Sequence, residues 1–127
     1  MTAVRLGSGA PWEAVVGYSR VVVHGDSAWV SGTTAIVDGA VAHPGDAAGQ
    51  TRVALATIAR ALTDAGFELG DVVRTRIYVT DISRRSKDLV PLTPRKLSAS
   101  LWTRPRASMD AAMLVEIEAD AVRGAGA

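Results

Sequence analysis

Residues 114–122 read Leu-Val-Glu-Ile-Glu-Ala-Asp-Ala-Val, and residues 71–82 read Asp-Val-Val-Arg-Thr-Arg-Ile-Tyr-Val-Thr-Asp-Ile. Both alternate with the period of two expected of a half-buried strand. In the first, Val115, Ile117, Ala119 and Ala121 take one face and Glu116, Glu118 and Asp120 the other. In the second, Val73, Thr75, Ile77 and Val79 alternate with Arg74, Arg76, Tyr78 and Thr80. Three acids on one strand face repel each other unless they are solvated or paired. Arg74 and Arg76 carry the opposite sign on a strand face of their own, so the two stretches are expected to be sheet neighbours with matched charges.

Outward from this pair, the other elements are shorter. Val4 to Leu6 reads as a first strand. Ser19 to His24 and Ala28 to Ser31 flank Gly25-Asp26, a turn dipeptide, and read as a hairpin. Ala35 to Val41 repeats that logic around Asp38-Gly39. The clearest helix begins after Asp46, whose carboxylate can accept from free N–H groups of the first turn. Thr51, Leu55, Ile58, Leu62 and Ala65 recur at spacings of three and four and form its apolar stripe. Gln50, Arg52, Arg60 and Thr63 fall largely off that stripe, and Gly66 ends the helix.

Segment 84–106 differs from the rest. It holds seven of the chain's 14 basic residues, one acid (Asp88) and three of its five prolines. Pro91 and Pro94 interrupt any helix here, while Arg95 to Thr103 alternates weakly, as a short strand would.

Composition narrows the class. The chain has 127 residues, 48% hydrophobic and 21% charged, which suits one domain, residues 1–127, with one core. A net charge of +1 names no partner. With no cysteine, disulfide frameworks, thiolate metal sites and cysteine nucleophiles are excluded. His24 and His43 are the only histidines, a thin supply for a metal site or a triad, and no cofactor is expected. No apolar run approaches the ~20 residues needed to cross a membrane, and the first residues lack an apolar signal core. The expectation is a cytoplasmic protein.

Five stretches, in order, resemble the Rid (reactive intermediate deaminase) family, also called the YjgF family. They are Gly17-Tyr18-Ser19-Arg20 with Trp29-Val30-Ser31-Gly32-Thr33; Gln50-Thr51-Arg52; Asp71-Val72-Val73-Arg74-Thr75; Tyr78-Val79-Thr80-Asp81; and Leu114-Val115-Glu116-Ile117-Glu118-Ala119. The resemblance spans about residues 8–83 and 113–122. It implies an α+β, chorismate-mutase-like fold in which a mixed sheet is backed by two helices. It also implies a homotrimer whose sheets form a barrel, with ligand sites between subunits. A sheet with helices on one face only needs cover on the other, which is consistent with such an assembly.

The chemistry the resemblance implies is hydrolysis of enamine and imine acids to keto acids and ammonia. Such a reaction needs an anchor for the substrate carboxylate, usually an arginine, and a group to hold and deprotonate a water. By motif, Glu116 matches the acidic residue near the water, Tyr18 the cleft-lining tyrosine, and Gly32 the glycine whose backbone approaches ligand, with Ser31 beside it. The family's Pro-x-Arg-Ser becomes Pro105-Arg106-Ala107-Ser108 here. Arg106 is therefore one place early, and a one-residue shift on a strand turns a side chain to the opposite face unless the backbone bulges. Two readings stand for that departure: a branch of the family with other ligands, or a local rearrangement of 84–112 such as a reading-frame slip.

Plainer readings stand beside these. Glu116 reads also as a paired strand carboxylate, Tyr18 as a packed aromatic, and Ser31-Gly32 as a strand end where glycine permits a turn. His24 and His43 read as surface residues, and Trp12, Trp29 and Trp102 as packing residues. Two other functions remain open beside the deaminase. One is a non-catalytic trimer that binds a keto acid. The other is an RNA-binding or endoribonuclease-type protein, which the basic run would serve through phosphates but which lacks a recognised RNA-binding signature.

Overall fold

A computed structural model describes residues 2–7, 9, 19–80, 98–103 and 111–126, with the backbone alone described for 98–103. In chain order the elements are β1 (Val4–Leu6), β2 (Val21–His24), β3 (Ser27–Thr33), β4 (Ile36–Val37), β5 (Ala40–Val41), α1 (Ala47–Asp64), a 3-10 turn (Leu69–Asp71), β6 (Val72–Val79), β7 (Ser98–Thr103) and β8 (Val115–Val122). Six strands make one sheet in the order β1-β2-β3-β8-β6-β7, and β4 and β5 form a separate hairpin. The sheet is mixed: β7 runs parallel to β6, and every other pair is antiparallel.

The two long strands are neighbours, as their charges required. Arg74 lies opposite Asp120, Arg76 opposite Glu118, and Tyr78 opposite Glu116. The Arg74 guanidinium donates to Asp120 Oδ2 at 2.8 and 3.0 Å, and Arg76 Nη1 lies 3.3 Å from Glu118 Oε2. The like-charge row on β8 is thereby offset by a cationic row on β6.

One face of the sheet is the core. Val21, Ala28, Val30, Val72, Ile77, Val79, Val115, Ile117, Ala119 and Ala121 all point into it and are buried. Helix α1 covers that face, packing against β3 and β8 with Ala54, Ile58 and Leu62 fully inside. Asp46 caps it as expected, its Oδ1 accepting from the Gly49 N–H at 2.9 Å. At the other end Gly66 takes a left-handed φ of 83°, where a side chain would be strained. Among the described residues α1 is the one α-helix. The second helix implied by the resemblance finds no counterpart there, and 81–97 lies outside them.

Four expectations are corrected. Gln50 is wholly buried rather than off the stripe. The first turn of α1 lies against the chain approaching β8, so the side chain at that position meets backbone instead of water. Val73 was expected on the core face but is 40% exposed. The step from Val72 to Arg74 faces a single step on β8, from Ala121 to Asp120, so Val73 is the extra residue of a bulge. Val72 turns inward in its place. Trp29 was expected to pack, yet it is 46% exposed on the sheet face opposite the helix. The strand read as Asp71–Ile82 is Val72–Val79; Asp71 closes the preceding turn. Arg95–Thr103 contains β7, at Ser98–Thr103.

The chain's end is tied to the same body. Asp71 accepts from the N–H groups of Glu68 at 2.9 Å and Gly124 at 3.0 Å. Arg123 stacks on Phe67 and reaches the Gly66 carbonyl and Asp26. Among the described residues no helix is long and apolar enough to cross a membrane.

Candidate functional site

β8 lies between β3 and β6, so the outward side chain of Glu116 has a neighbour strand on each side. On β6 the residue opposite is Tyr78. On β3 the register slips: Val30 pairs with Ala119 and Thr33 with Ile117, so three steps on β3 face two on β8. Ser31 and Gly32 form this second bulge. They lie inside β3 rather than at a strand end, which corrects the plainer reading of that dipeptide.

The Glu116 carboxylate lies over Gly32. A β-carbon placed on Gly32 would collide with Glu116 Oε1 and come within 3.0 Å of its Cδ. The backbone at Gly32 is not left-handed. Glycine serves there for space, not for its dihedral freedom: a larger residue would require the flexible Glu116 side chain to move aside. Ser31 stands beside it, but its hydroxyl is turned to the Ser19 carbonyl at 2.5 Å. Ser31 therefore shapes the bulge.

Two residues without an assigned role in the sequence build the surroundings. Arg20 Nη1 lies 3.2 Å from the Ser31 carbonyl, 3.3 Å from that of Gly32 and 2.6 Å from Thr33 Oγ1. Thr33 Oγ1 passes the bond on to the Ser31 carbonyl at 2.8 Å. Gln50 Nε2 donates to the carbonyls of Ala112 (2.9 Å) and His43 (3.2 Å), and its Oε1 accepts from the Leu114 N–H at 2.9 Å. That amide fixes the chain two residues before Glu116. Both lie in stretches that carry the family resemblance, but neither periodicity nor composition indicates that their partners are backbone groups.

Of the five residues singled out in the sequence, Glu116, Gly32 and Ser31 are brought together. Tyr18 and Arg106 lie outside the described residues. Among the described residues no cluster of three or more histidine or acidic side chains is arranged to hold a metal. A carboxylate beside bare backbone, with a tyrosine on the adjacent strand, can hold a water and take its proton.

The sheet order, the single described helix and the carboxylate on the third-from-edge strand define an α+β protein of the YjgF type. The family described as endoribonuclease L-PSP matches residues 8–123, and the chain belongs to that family, which is the YjgF/Rid family. A YjgF-family crystal structure from Mycobacterium tuberculosis is 41% identical, with a TM-score of 0.81 over 95% of this chain and 99% of that one. An uncharacterised protein of Streptomyces coelicolor is 34% identical over 95% of this chain and 92% of its own length. A Rid-family protein of unknown function from Yersinia pestis, 22% identical, shares the fold at a TM-score of 0.80 over 95% of this chain and 99% of its own.

Proposed function

We propose that this protein hydrolyses small enamine or imine acids to carbonyl compounds and ammonia. The observation that carries the reading is the Glu116 carboxylate seated against the Cα of Gly32 at a bulge. Water adds to the carbon of the protonated imine while Glu116 takes one water proton, which gives a neutral carbinolamine. Glu116 then returns that proton to nitrogen, and the C–N bond breaks as the carbinolamine hydroxyl gives its own proton to the departing ammonia, leaving the carbonyl and ammonium. No cofactor is needed, since neither electrons nor groups other than water are transferred. The substrate carboxylate needs a cation, and Arg106 is the candidate that the family motif offers.

The site is completed in a homotrimer in this reading. The sheet face opposite α1 carries exposed Trp29, Val73 and Val122 beside the arginine–carboxylate pairs. Such a half-apolar, half-paired face suits burial against copies of itself. The same pairs argue against an RNA-cleaving role on this face, because Arg74 and Arg76 are engaged by Asp120 and Glu118 rather than offered to phosphates.

A coupled assay tests the reading. A dehydratase generates 2-aminoacrylate or its four-carbon homologue, and keto-acid release is followed with and without the protein. Acceleration is expected, falling by about 100-fold or more in Glu116→Gln and lost in Arg106→Ala. A folded trimer that gives no acceleration would leave a binding role on the same scaffold.

A further inference from the structure

Arg20 sits immediately before β2, and its guanidinium turns to β3. Its carbonyl accepts from the Ser31 N–H at 3.1 Å, while its guanidinium nitrogen Nη1 is shared among the Ser31 and Gly32 carbonyls and Thr33 Oγ1. A bulge leaves ladder groups without their regular partners, and buried or half-buried carbonyls need donors. At this bulge a charged donor turns to two successive carbonyls. Gly32 has no side chain with which to anchor itself and is the residue type with the most backbone freedom. The Glu116 carboxylate packs on that same Gly32, so it inherits whatever order or slack the bulge has.

We infer that Arg20 is a positioning residue for Glu116: it acts through the Ser31–Thr33 backbone and fixes the surface against which the carboxylate rests. The inference rests on Glu116 as the water-holding group where it concerns turnover, and on geometry alone where it concerns order. A planar guanidinium satisfies several oxygens in fixed directions, whereas an ammonium is a point donor. Lysine should therefore restore the function in part, and methionine, which keeps only the length of the stem, should not. Thr33 is the milder probe, since its hydroxyl both receives from Arg20 and donates to the Ser31 carbonyl.

The test uses the full-length, isotope-labelled protein and three variants: Arg20→Met, Arg20→Lys and Thr33→Val. Backbone relaxation at Gly32 and the carboxyl-carbon titration of Glu116 are read by NMR, and kcat and KM by the coupled assay. In Arg20→Met the Gly32 order parameter is expected to fall from about 0.85 to below about 0.6, with a displaced Glu116 titration. kcat should drop by about tenfold to a hundredfold while KM changes by less than about threefold. Arg20→Lys should recover part of each effect, and Thr33→Val should lie between it and the native chain. If Arg20→Met fails to fold, the other two variants decide. Folded variants with an unchanged Gly32 order parameter and Glu116 titration overturn the inference, as does a loss carried by KM alone. If the native protein accelerates no hydrolysis, the deaminase reading falls, and the two NMR readouts still decide the role of Arg20.

Discussion

Gly32 and Glu116 share one volume, and that makes position 32 sensitive to a single carbon atom. In Gly32→Ala the new methyl displaces the Glu116 carboxylate, the far end of a flexible, half-buried side chain, so the site is disturbed more than the fold. Urea unfolding should change by less than about 1 kcal/mol, and the coupled assay should show kcat falling while KM changes little. Gln50 is the second sensitive residue. Its side chain satisfies two carbonyls and one N–H in a fully buried setting, so Gln50→Leu removes their partners without opening a cavity. A loss of about 2–3 kcal/mol is expected, and a change below about 0.5 kcal/mol in urea unfolding would show that those backbone groups find other partners. Thr75 is the converse case. It is buried on β6 and its hydroxyl has no hydrogen-bond partner. Thr75→Val keeps the β-branched shape the strand favours and removes an unmet polar atom, so a gain of about 1 kcal/mol is expected by the same measurement.

At the scale of elements, β6 and β8 are held in register by two kinds of complementarity, apolar on one face and ionic on the other. Apolar burial dominates: Ile77, Val79, Val115 and Ile117 are completely inside. The ion pairs specify more than they stabilise. Arg74 and Asp120 retain 45% and 24% of their side-chain exposure, and exposed pairs of this kind couple by about 0.2–1 kcal/mol. A double-mutant cycle with Arg74→Ala and Asp120→Ala should give a coupling in that range that shrinks with added salt. Zero coupling at low salt would mean that solvent already screens the pair. The alternation made this pairing legible from sequence. The bulge at Val73 was not legible, because an extra residue leaves composition unchanged and shifts only which side chains face the core.

For the molecule as a whole, Asp71 links the turn before β6 to the last residues of the chain. The N–H of Glu68 is the main cause that holds its carboxyl below the ordinary aspartate range, joined by the N–H groups of Gly126 and Gly124 and by the charge of Arg123, while burial acts the other way. A group whose folded pKa is depressed contributes stability above its unfolded value and loses it as pH falls through the folded one. The stabilisation should therefore be full above pH ~4 and disappear below it. Acid unfolding followed by circular dichroism should be less steep over that interval in Asp71→Asn, which starts from a less stable protein at neutral pH. Gly126 packs onto the Gly70 backbone so closely that a β-carbon would sit 2.6 Å from the Gly70 oxygen, so the same tail tolerates no side chain there. The proposed trimer is tested at this scale too. Sedimentation velocity should give three times the chain mass, and Trp29→Glu on the open sheet face should lower it.

The sequence by itself determined the elements whose signal is local and repeated. The period-two strands read at 71–82 and 114–122, which the structure trims to 72–79 and 115–122, the hairpin turns at Gly25-Asp26 and Asp38-Gly39, and the Asp46-to-Gly66 helix each follow from side chains that act within a few residues of one another. The family and its candidate carboxylate were legible as well, because short motifs stood in the right order. Only the tertiary structure decided the rest. That Gln50 is buried depends on residues 112–114 passing beside it, more than 60 positions later in the chain. That Gly32 leaves room for a carboxylate depends on a glutamate more than 80 positions away. That Arg20 holds a bulge depends on a register slip between β3 and β8. Each is a contact between backbone and a distant side chain, and such contacts leave no period in the sequence because they occur once and are set by how the strands are stacked.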